Sequence, residues 1–325
     1  MKKISILALN NSVLGSIVGP HKVFTELNDL LLSMKKEPLF EVKIVGLSKT
    51  TNLNNGLFSI NSDSLLDEVE KTDLIIIPAM YGNLKDAVEL NKDFLPWIIK
   101  NYKNGSEVSS LCTGAFLLAS TGLLDGKNCA THWLMINEFK KMFPEVNLVT
   151  DKIITDENGL YSSGGAFSFL NLILYLVEKY AGREMAIIAS KIFQVDIERD
   201  SQSQFIIFSG QKEHEDITIK EVQGFIEQNY QEKISVESLA LKYALSKRSL
   251  ERRFKKATSN SVLEYIQRVK VESAKTRLES SQENVEQVMY KIGYSDSRYF
   301  RNFFKKFTGF SPLQYRNKYN RISSI

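Results

Sequence analysis

The stretch from Ser235 to Arg316 is one structural unit written twice, and few folds accommodate such a duplication. Val236-Glu237 is echoed by Val285-Glu286, Lys242 by Lys291, and Ser246 recurs as Ser295, forty-nine residues on. After one inserted residue the match continues at an offset of fifty. Leu250 then pairs with Phe300, Phe254-Lys255-Lys256 with Phe304-Lys305-Lys306, Thr258 with Thr308, Ser261 with Ser311, Leu263 with Leu313 and Tyr265 with Tyr315. A self-match at fixed spacing marks a duplicated supersecondary unit.

Each copy reads as helix, tight turn, helix. In the first, Val236, Leu239, Ala240 and Tyr243 share one face, Ala244-Leu245 turns the chain, and Ser246 caps a helix running through Lys256. In the second, Val285, Val288, Met289 and Ile292 make the face, Gly293 supplies the turn, and Ser295 or Asp296 caps a helix through Phe307. Between the copies, Val262 to Leu278 reads as one helix; its seventeen residues give a rod of about 25 Å. Two helices joined by a short turn form the helix-turn-helix unit, whose second helix enters the DNA major groove. Such pairs also occur in proteins that never touch DNA, so shape alone does not decide.

Charge does. In the second helix of copy one, Leu250 and Phe254 point inward and leave Lys247, Arg248, Glu251, Arg252 and Lys255 outside. In copy two, Tyr299, Phe300, Phe303, Phe304 and Phe307 form the apolar side and leave Arg298, Arg301, Asn302, Lys305 and Lys306. From Glu215 onward there are 21 Lys and Arg against 13 Asp and Glu, a net of +8, which leaves −4 for residues 1–214 of the whole-chain +4. That asymmetry marks the second part as the binder of a polyanion. The residues expected at double-stranded DNA are Lys247, Arg248, Glu251, Arg252, Arg298, Arg301, Asn302 and Lys305. Arg and Lys suit guanine edges and Asn an adenine edge. The outer Lys255, Lys256, Lys305 and Lys306 suit phosphates, which give affinity without sequence information. A rod of this length can hold two recognition helices near the ~34 Å of one duplex turn.

About a hundred residues of this region resemble the AraC/XylS family of transcriptional regulators. The resemblance rests on Ser246-x-Arg248-x-Leu250-x-Arg252-x-Phe254 and on the run from Ile292-Gly293-Tyr294 to Gln314-Tyr315-Arg316. It implies an all-α double helix-turn-helix domain at residues 217–325. One departure stands out: Asn302 occupies a position where the family usually carries Arg, so either Asn302 reads a base or Arg298 and Arg301 take over that contact.

The first part is built differently. A chain of 325 residues, 43% apolar, has room for two domains or more. Met1-Lys2-Lys3 and a six-residue apolar run ending at Asn10-Asn11 read as a buried first strand rather than a signal peptide. No apolar segment approaches the ~20 residues of a membrane span. Cys112 and Cys129 give neither a disulfide framework nor a metal motif, so a cytoplasmic protein with no metal and no cofactor is expected. Through residue 192, short apolar runs (Ile4–Leu9, Phe40–Leu47, Leu74–Ile77, Val108–Leu111) alternate with helical patterns (Pro20–Lys35, Phe94–Lys103, Ala115–Ser120, Gly165–Tyr180, Glu184–Phe193). Such alternation predicts a parallel sheet sandwiched by helices.

The chemically suggestive spot is Ser109-Ser110-Leu111-Cys112-Thr113-Gly114-Ala115. A strand runs directly into Cys112 and small residues permit a tight turn into a helix, the arrangement that presents nucleophiles in hydrolases. A helix N-terminus there favours thiolate, although a lone Cys is more often a small buried hydrophobe. Leu111 to Ala119, Thr121 to Lys127, Ala130-Thr131-His132-Trp133 and Ser163-Gly164-Gly165 look like the amidase-like half of GlxA-type regulators. These join a PfpI-like, class I glutamine-amidotransferase-like domain to an AraC-type domain. The resemblance implies an α/β flavodoxin-like fold over residues 1–195, with Cys112, Thr113 and His132 lining a ligand pocket. In the enzymes it resembles, an acid near the end of the first strand assists the cysteine, whereas Ser16 stands at that position here and Thr113 follows the cysteine. Cys112 and His132 are the only catalytic candidates, and a degenerate enzyme used as a sensor is the expectation.

Residues 196–216 read as a linker, with Gln202, Gln204 and Gln211 set among Glu198, Asp200, Glu213 and Glu215. Together these features predict a sequence-specific transcription regulator whose first domain responds to a small-molecule effector or to a thiol modification. The resemblance and the repeated half-sites imply a homodimer, with RNA polymerase as partner if it activates. The alternative is a cysteine-dependent hydrolase or glyoxalase-like enzyme carrying a DNA-targeting domain. A DNA-packaging protein would show no sequence preference.

Overall fold

The computed structural model describes residues 1–197 and 201–320. Glu198 and Asp200 of the expected linker, and residues 321–325 of the expected DNA-binding domain, lie outside the described residues. The chain divides into two compact units, Met1–Gln202 and Ser203–Ile325.

Apolar alternation builds the first unit. Its seven-stranded sheet runs in the order Ile154–Glu157, Leu160–Ser163, Glu107–Leu111, Leu74–Ile77, Lys2–Leu7, Phe40–Gly46, Ser64–Leu65. Every neighbouring pair is parallel except the first, an antiparallel hairpin. Successive side chains along a strand point to opposite faces, and both faces are covered. Ile4, Ile6, Leu74 and Ile76 pack with Phe24, Leu27, Leu172 and Val177 on one side. Leu7, Ile75, Ile77 and Val108 pack with Phe94, Ile98, Phe116 and Leu118 on the other. This is why Leu74-Ile-Ile-Ile77 carries no polar residue.

Strand order reverses between Lys2–Leu7 and Leu74–Ile77, and ligands in open α/β sheets gather at the carboxyl ends beside such a reversal. The elbow at Cys112 closes the next strand along. Local differences from the sequence reading have simple causes. The first helix is Gly15–Ser33 and takes Pro20 inside it, starting ahead of the expected Pro20; at that earlier start the Ser16 hydroxyl donates to the Val13 carbonyl at 2.7 Å. A hairpin, Thr50–Leu53 with Phe58–Asn61, has too few apolar residues to read as strands, although its Leu53 and Ile60 are buried. Its turn was nonetheless written in Asn54-Asn55-Gly56, all three at positive φ.

Among the described residues the second unit is all helical: Ile217–Asn229, Val236–Lys242, Lys247–Thr258, Val262–Ser280, Val285–Lys291, Ser297–Thr308 and Pro312–Tyr319. The duplication reaches the packing. One core holds Leu239, Leu250, Phe254 and Tyr265, and the other holds Val288, Phe300, Phe304 and Tyr315. It also reaches single hydrogen bonds. The Thr258 and Thr308 hydroxyls each donate to the carbonyl four residues back, Phe254 and Phe304, at 2.8 Å. The Tyr265 and Tyr315 hydroxyls each donate to a glutamate, Glu227 at 2.6 Å and Glu279 at 2.5 Å.

The two turns differ where the sequences differ. Ala244 adopts φ 51° and Gly293 φ 78°. A Cβ on Gly293 would stand 2.0 Å from the Gln231 carbonyl oxygen, so glycine is demanded there twice over, by backbone angle and by close approach. The stretch read as a linker makes specific bonds over its second half. Ile206 O accepts from buried Lys275 Nζ at 2.6 Å, Phe208 N donates to Glu272 at 3.1 Å, and Gln211 O accepts from Gln223 at 2.9 Å. Side-chain to backbone bonds of this kind have no periodicity to read.

Candidate nucleic-acid interface and cysteine elbow

Each recognition helix starts where its cap dictates. The Ser246 hydroxyl accepts from Ser249 N at 3.2 Å. Asp296, rather than Ser295, accepts from Arg298 N at 2.8 Å and Tyr299 N at 2.9 Å. The helices Lys247–Thr258 and Ser297–Thr308 bury Leu250 and Phe254 in one case and Phe300, Phe303 and Phe304 in the other. All eight residues expected at DNA are exposed: Lys247, Arg248, Glu251 and Arg252 on the first helix, and Arg298, Arg301, Asn302 and Lys305 on the second.

Their engagement differs. Lys247 Nζ meets Glu237 at 2.5 Å, a contact that steadies it beside the preceding helix. The Arg301 guanidinium folds back onto Ser297 Oγ at 2.7 and 3.1 Å. Among the described residues, the side chains of Arg248, Arg252, Arg298, Asn302 and Lys305 meet no hydrogen-bonding or ionic partner, which leaves them available to a ligand. Tyr299, expected on the apolar side, is 48% exposed. It lies flat against Phe303 with ring centroids 6.0 Å apart, because the helix has more aromatic residues than its buried stripe can hold. It adds a stacking surface to the second face that charge counting overlooked.

Arg253 looks like a further DNA contact but is structural. Its guanidinium makes a two-pronged pair with Asp216, at 2.9 and 2.6 Å, while Asp216 caps the helix Ile217–Asn229. The Arg253 hydrogen bonds hold the Asp216 carboxyl below its usual 3.8. A depressed carboxyl contributes stability above its ordinary pKa and loses it as pH falls through the folded value. Arg253→Ala should therefore flatten the decline of the melting temperature on the acid side of pH 4; an unchanged acid slope would contradict this. Lys305→Ala should lower the slope of log K against log salt by about one without altering base preference.

The elbow in the first unit is built by constraint. Cys112 ends the strand Glu107–Leu111 at φ 55°, a left-handed angle costly for a side chain. Its N–H donates to Ser163 Oγ at 3.3 Å and its carbonyl accepts from Thr131 Oγ1 at 3.0 Å. Gly114 follows because a Cβ there would stand 2.6 Å from the Pro78 carbonyl oxygen. Thr113 donates to Met80 O at 2.6 Å and accepts from Met80 N at 2.8 Å. Ser16 accepts from Ala79 N at 2.9 Å. Thr113 and Ser16 thus clamp the loop after Leu74–Ile77 from two sides.

The chemistry follows from burial. Cys112 is 5% exposed, and burial pushes its thiol up to about 11 despite the hydrogen bonds of Thr113. Burial thus opposes the thiolate that a helix N-terminus would favour. Burial likewise holds the His132 imidazolium below its usual 6.5. His132 Nδ1 accepts from Leu134 N at 3.2 Å, and its ring stacks on Trp133, so the neutral ring carries its proton on Nε2. Among the described residues, no hydrogen bond joins His132 to Cys112, and no group of three metal-ligating side chains occurs.

A strand–cysteine–helix elbow on a doubly wound sheet, followed by paired helix-turn-helix units, defines a sensor-like domain joined to a DNA-binding domain. The chain matches the DJ-1/PfpI family over residues 3–179, and it belongs to that family. A helix-turn-helix domain matches over residues 239–318, and this part is of the AraC type. The chain is 26% identical over 258 residues to the HTH-type transcriptional regulator GbdR of Pseudomonas aeruginosa, covering 79% of this chain and 69% of that one. It is 21% identical over 215 residues to the HTH-type transcriptional regulator GlxA of Rhizobium meliloti, covering 66% of each. A crystal structure of a transcriptional regulator protein from Vibrio parahaemolyticus superposes with a TM-score of 0.53 at 20% identity, over 59% of this chain and 98% of that one. At that identity the likeness speaks to the fold alone.

Proposed function

We propose that the protein is a sequence-specific DNA-binding transcription regulator whose first unit is a catalytically degenerate ligand sensor. The observation that carries this reading is the repetition of an exposed cationic face on two recognition helices with equivalent cores, on which Arg248, Arg252, Arg298 and Lys305 have no partner among the described residues. Residues 1–195 act as the sensor and dimerisation domain, and residues 217–325 as the DNA-binding domain. The duplex is read by Arg248, Arg252, Arg298 and Asn302, with Lys247, Glu251, Arg301 and Lys305 at the margins. The regulator works as a homodimer in the cytoplasm, and it meets RNA polymerase where it activates. Among the described residues, no helix is long and apolar enough to cross a membrane.

The buried thiol supports a non-enzymatic first unit. Burial pushes its pKa up to about 11 and so favours the neutral thiol at pH 7, whereas nucleophilic catalysis needs an activated base–nucleophile pair. The test is selection of genomic DNA fragments by the purified protein, alongside Cys112→Ser. A shared motif of two half-sites, retained in Cys112→Ser, is the expected outcome. Enrichment without any motif, or hydrolase turnover that Cys112→Ser abolishes, would overturn the proposal.

A further inference from the structure

Gln202 closes the first unit with a side chain that is 1% exposed. Its Nε2 faces three main-chain carbonyls, Thr131 at 3.2 Å, Thr150 at 3.1 Å and Lys152 at 3.2 Å. A carboxamide nitrogen carries two hydrogens, so it cannot satisfy three converging acceptors. Its Oε1 is buried without any hydrogen-bond partner, a costly condition for an amide. The side chain mismatches its surroundings at both ends.

The surroundings belong to the elbow. Thr131, which gives one of the carbonyls, bonds the Cys112 carbonyl through its hydroxyl. Gly164 follows Ser163, the acceptor of the Cys112 N–H. A Cβ on Gly164 would stand 2.5 Å from Gln202 Nε2, so the glycine keeps this volume open.

We infer that these three carbonyls form a binding site for a primary ammonium group, filled here by the chain's own Gln202. An –NH3+ has three donors for three acceptors, and it has no oxygen to strand. Three carbonyl dipoles aimed at one point also favour a cation over a neutral amide. The inference rests on the reading of the first unit as a ligand sensor, and it names both the site and the class of ligand.

Connectivity gives the site an output. The Gln202 segment is clipped in place by its own N–H to Asp151 O at 2.9 Å and by a bridge between Lys152 and Ser201. Two residues on, Gln204 accepts from Lys318 Nζ at 2.5 Å, and Ile206 O accepts from Lys275. Both lysines lie on helices that surround the second helix-turn-helix. An ammonium that evicts the Gln202 side chain therefore removes one tether from a segment whose next anchors along the chain, from Gln204 on, lie in the DNA-binding unit.

The test uses the full chain, wild type and Gln202→Gly, titrated calorimetrically with methylammonium, tetramethylammonium and potassium chlorides at matched ionic strength. Gln202→Gly should bind methylammonium at least tenfold more tightly than wild type does, because no internal side chain competes. Tetramethylammonium, which has no N–H, should bind neither protein. No gain in Gln202→Gly, or equal binding of tetramethylammonium or potassium, would overturn the assignment. Should Gln202→Gly fail to fold, the isosteric Gln202→Glu sets an acceptor against three acceptors and must show the same gain. Gel shifts on the selected operator separate the two proposals. Sequence-selective DNA binding without an ammonium effect leaves the regulator standing and removes this site, whereas loss of selectivity in the wild type removes the regulator reading itself.

Discussion

Gly293→Ala is expected to destabilise the second helix-turn-helix by about 2–4 kcal/mol and to cut operator protection back to one half-site. Two costs combine in it. At φ 78° an L side chain loses roughly 1–2 kcal/mol. The added Cβ would also meet the Gln231 carbonyl carbon at 2.9 Å and its oxygen at 2.0 Å. Because that neighbour is backbone, relief requires moving the turn after the helix Ile217–Asn229, whose Ile219, Val222 and Ile226 pack into the other core. Lys270 Nζ, 3.0 Å from the same point, would shift too, losing its 2.9 Å bond to Ile292 O. The matched control is Ala244→Gly, where a side chain is already tolerated at φ 51°, and its effect should stay within about 1 kcal/mol. Thermal unfolding and DNase footprinting read both outcomes. An unchanged melting temperature for Gly293→Ala would mean that the turn is not built as described.

Arg252→Ala should cost about 1–3 kcal/mol at one base position while leaving the preference elsewhere intact. Arg252 is exposed on the first recognition helix and has no partner among the described residues, so its removal leaves no buried charge behind. Competition binding with single-base operator variants decides its role. Weakening that is uniform across all variants would make it a phosphate contact.

The repeat was legible because both copies obey the same local rules. Val236, Leu239 and Ala240, or Val285, Val288 and Met289, fall on one side of a short helix, and their capping residues follow from side-chain oxygen placement. The alternating strands were equally legible, since Leu74–Ile77 has to be buried on both faces. What stayed hidden was whatever depends on contact between distant segments. By position alone Cys112 reads either as a reactive thiol or, as a lone Cys more often is, as a small buried hydrophobe; its 5% exposure comes from packing between distant segments that no local pattern shows. Gln202 looks like one polar residue in a polar stretch, and only the convergence of residues 131, 150 and 152 reveals its role. Tyr299 and Arg253 were misjudged or passed over for the same reason. A helix face is assigned by period, but which neighbour fills it is set by the other helices.

The helix Val262–Ser280 lends Val262, Tyr265 and Ile266 to one core and Val271, Ala274 and Leu278 to the other. It works as a ruler as well as a brace. Side chains on either recognition helix can change without repacking the opposite half, so the two operator words are free to diverge. Their spacing is not. A single residue gained or lost in this helix would turn one reading head by about 100° relative to the other, carrying it off the face of the duplex that both must share. Such a protein can relearn its vocabulary one half-site at a time, while the distance between the words stays fixed by nineteen residues.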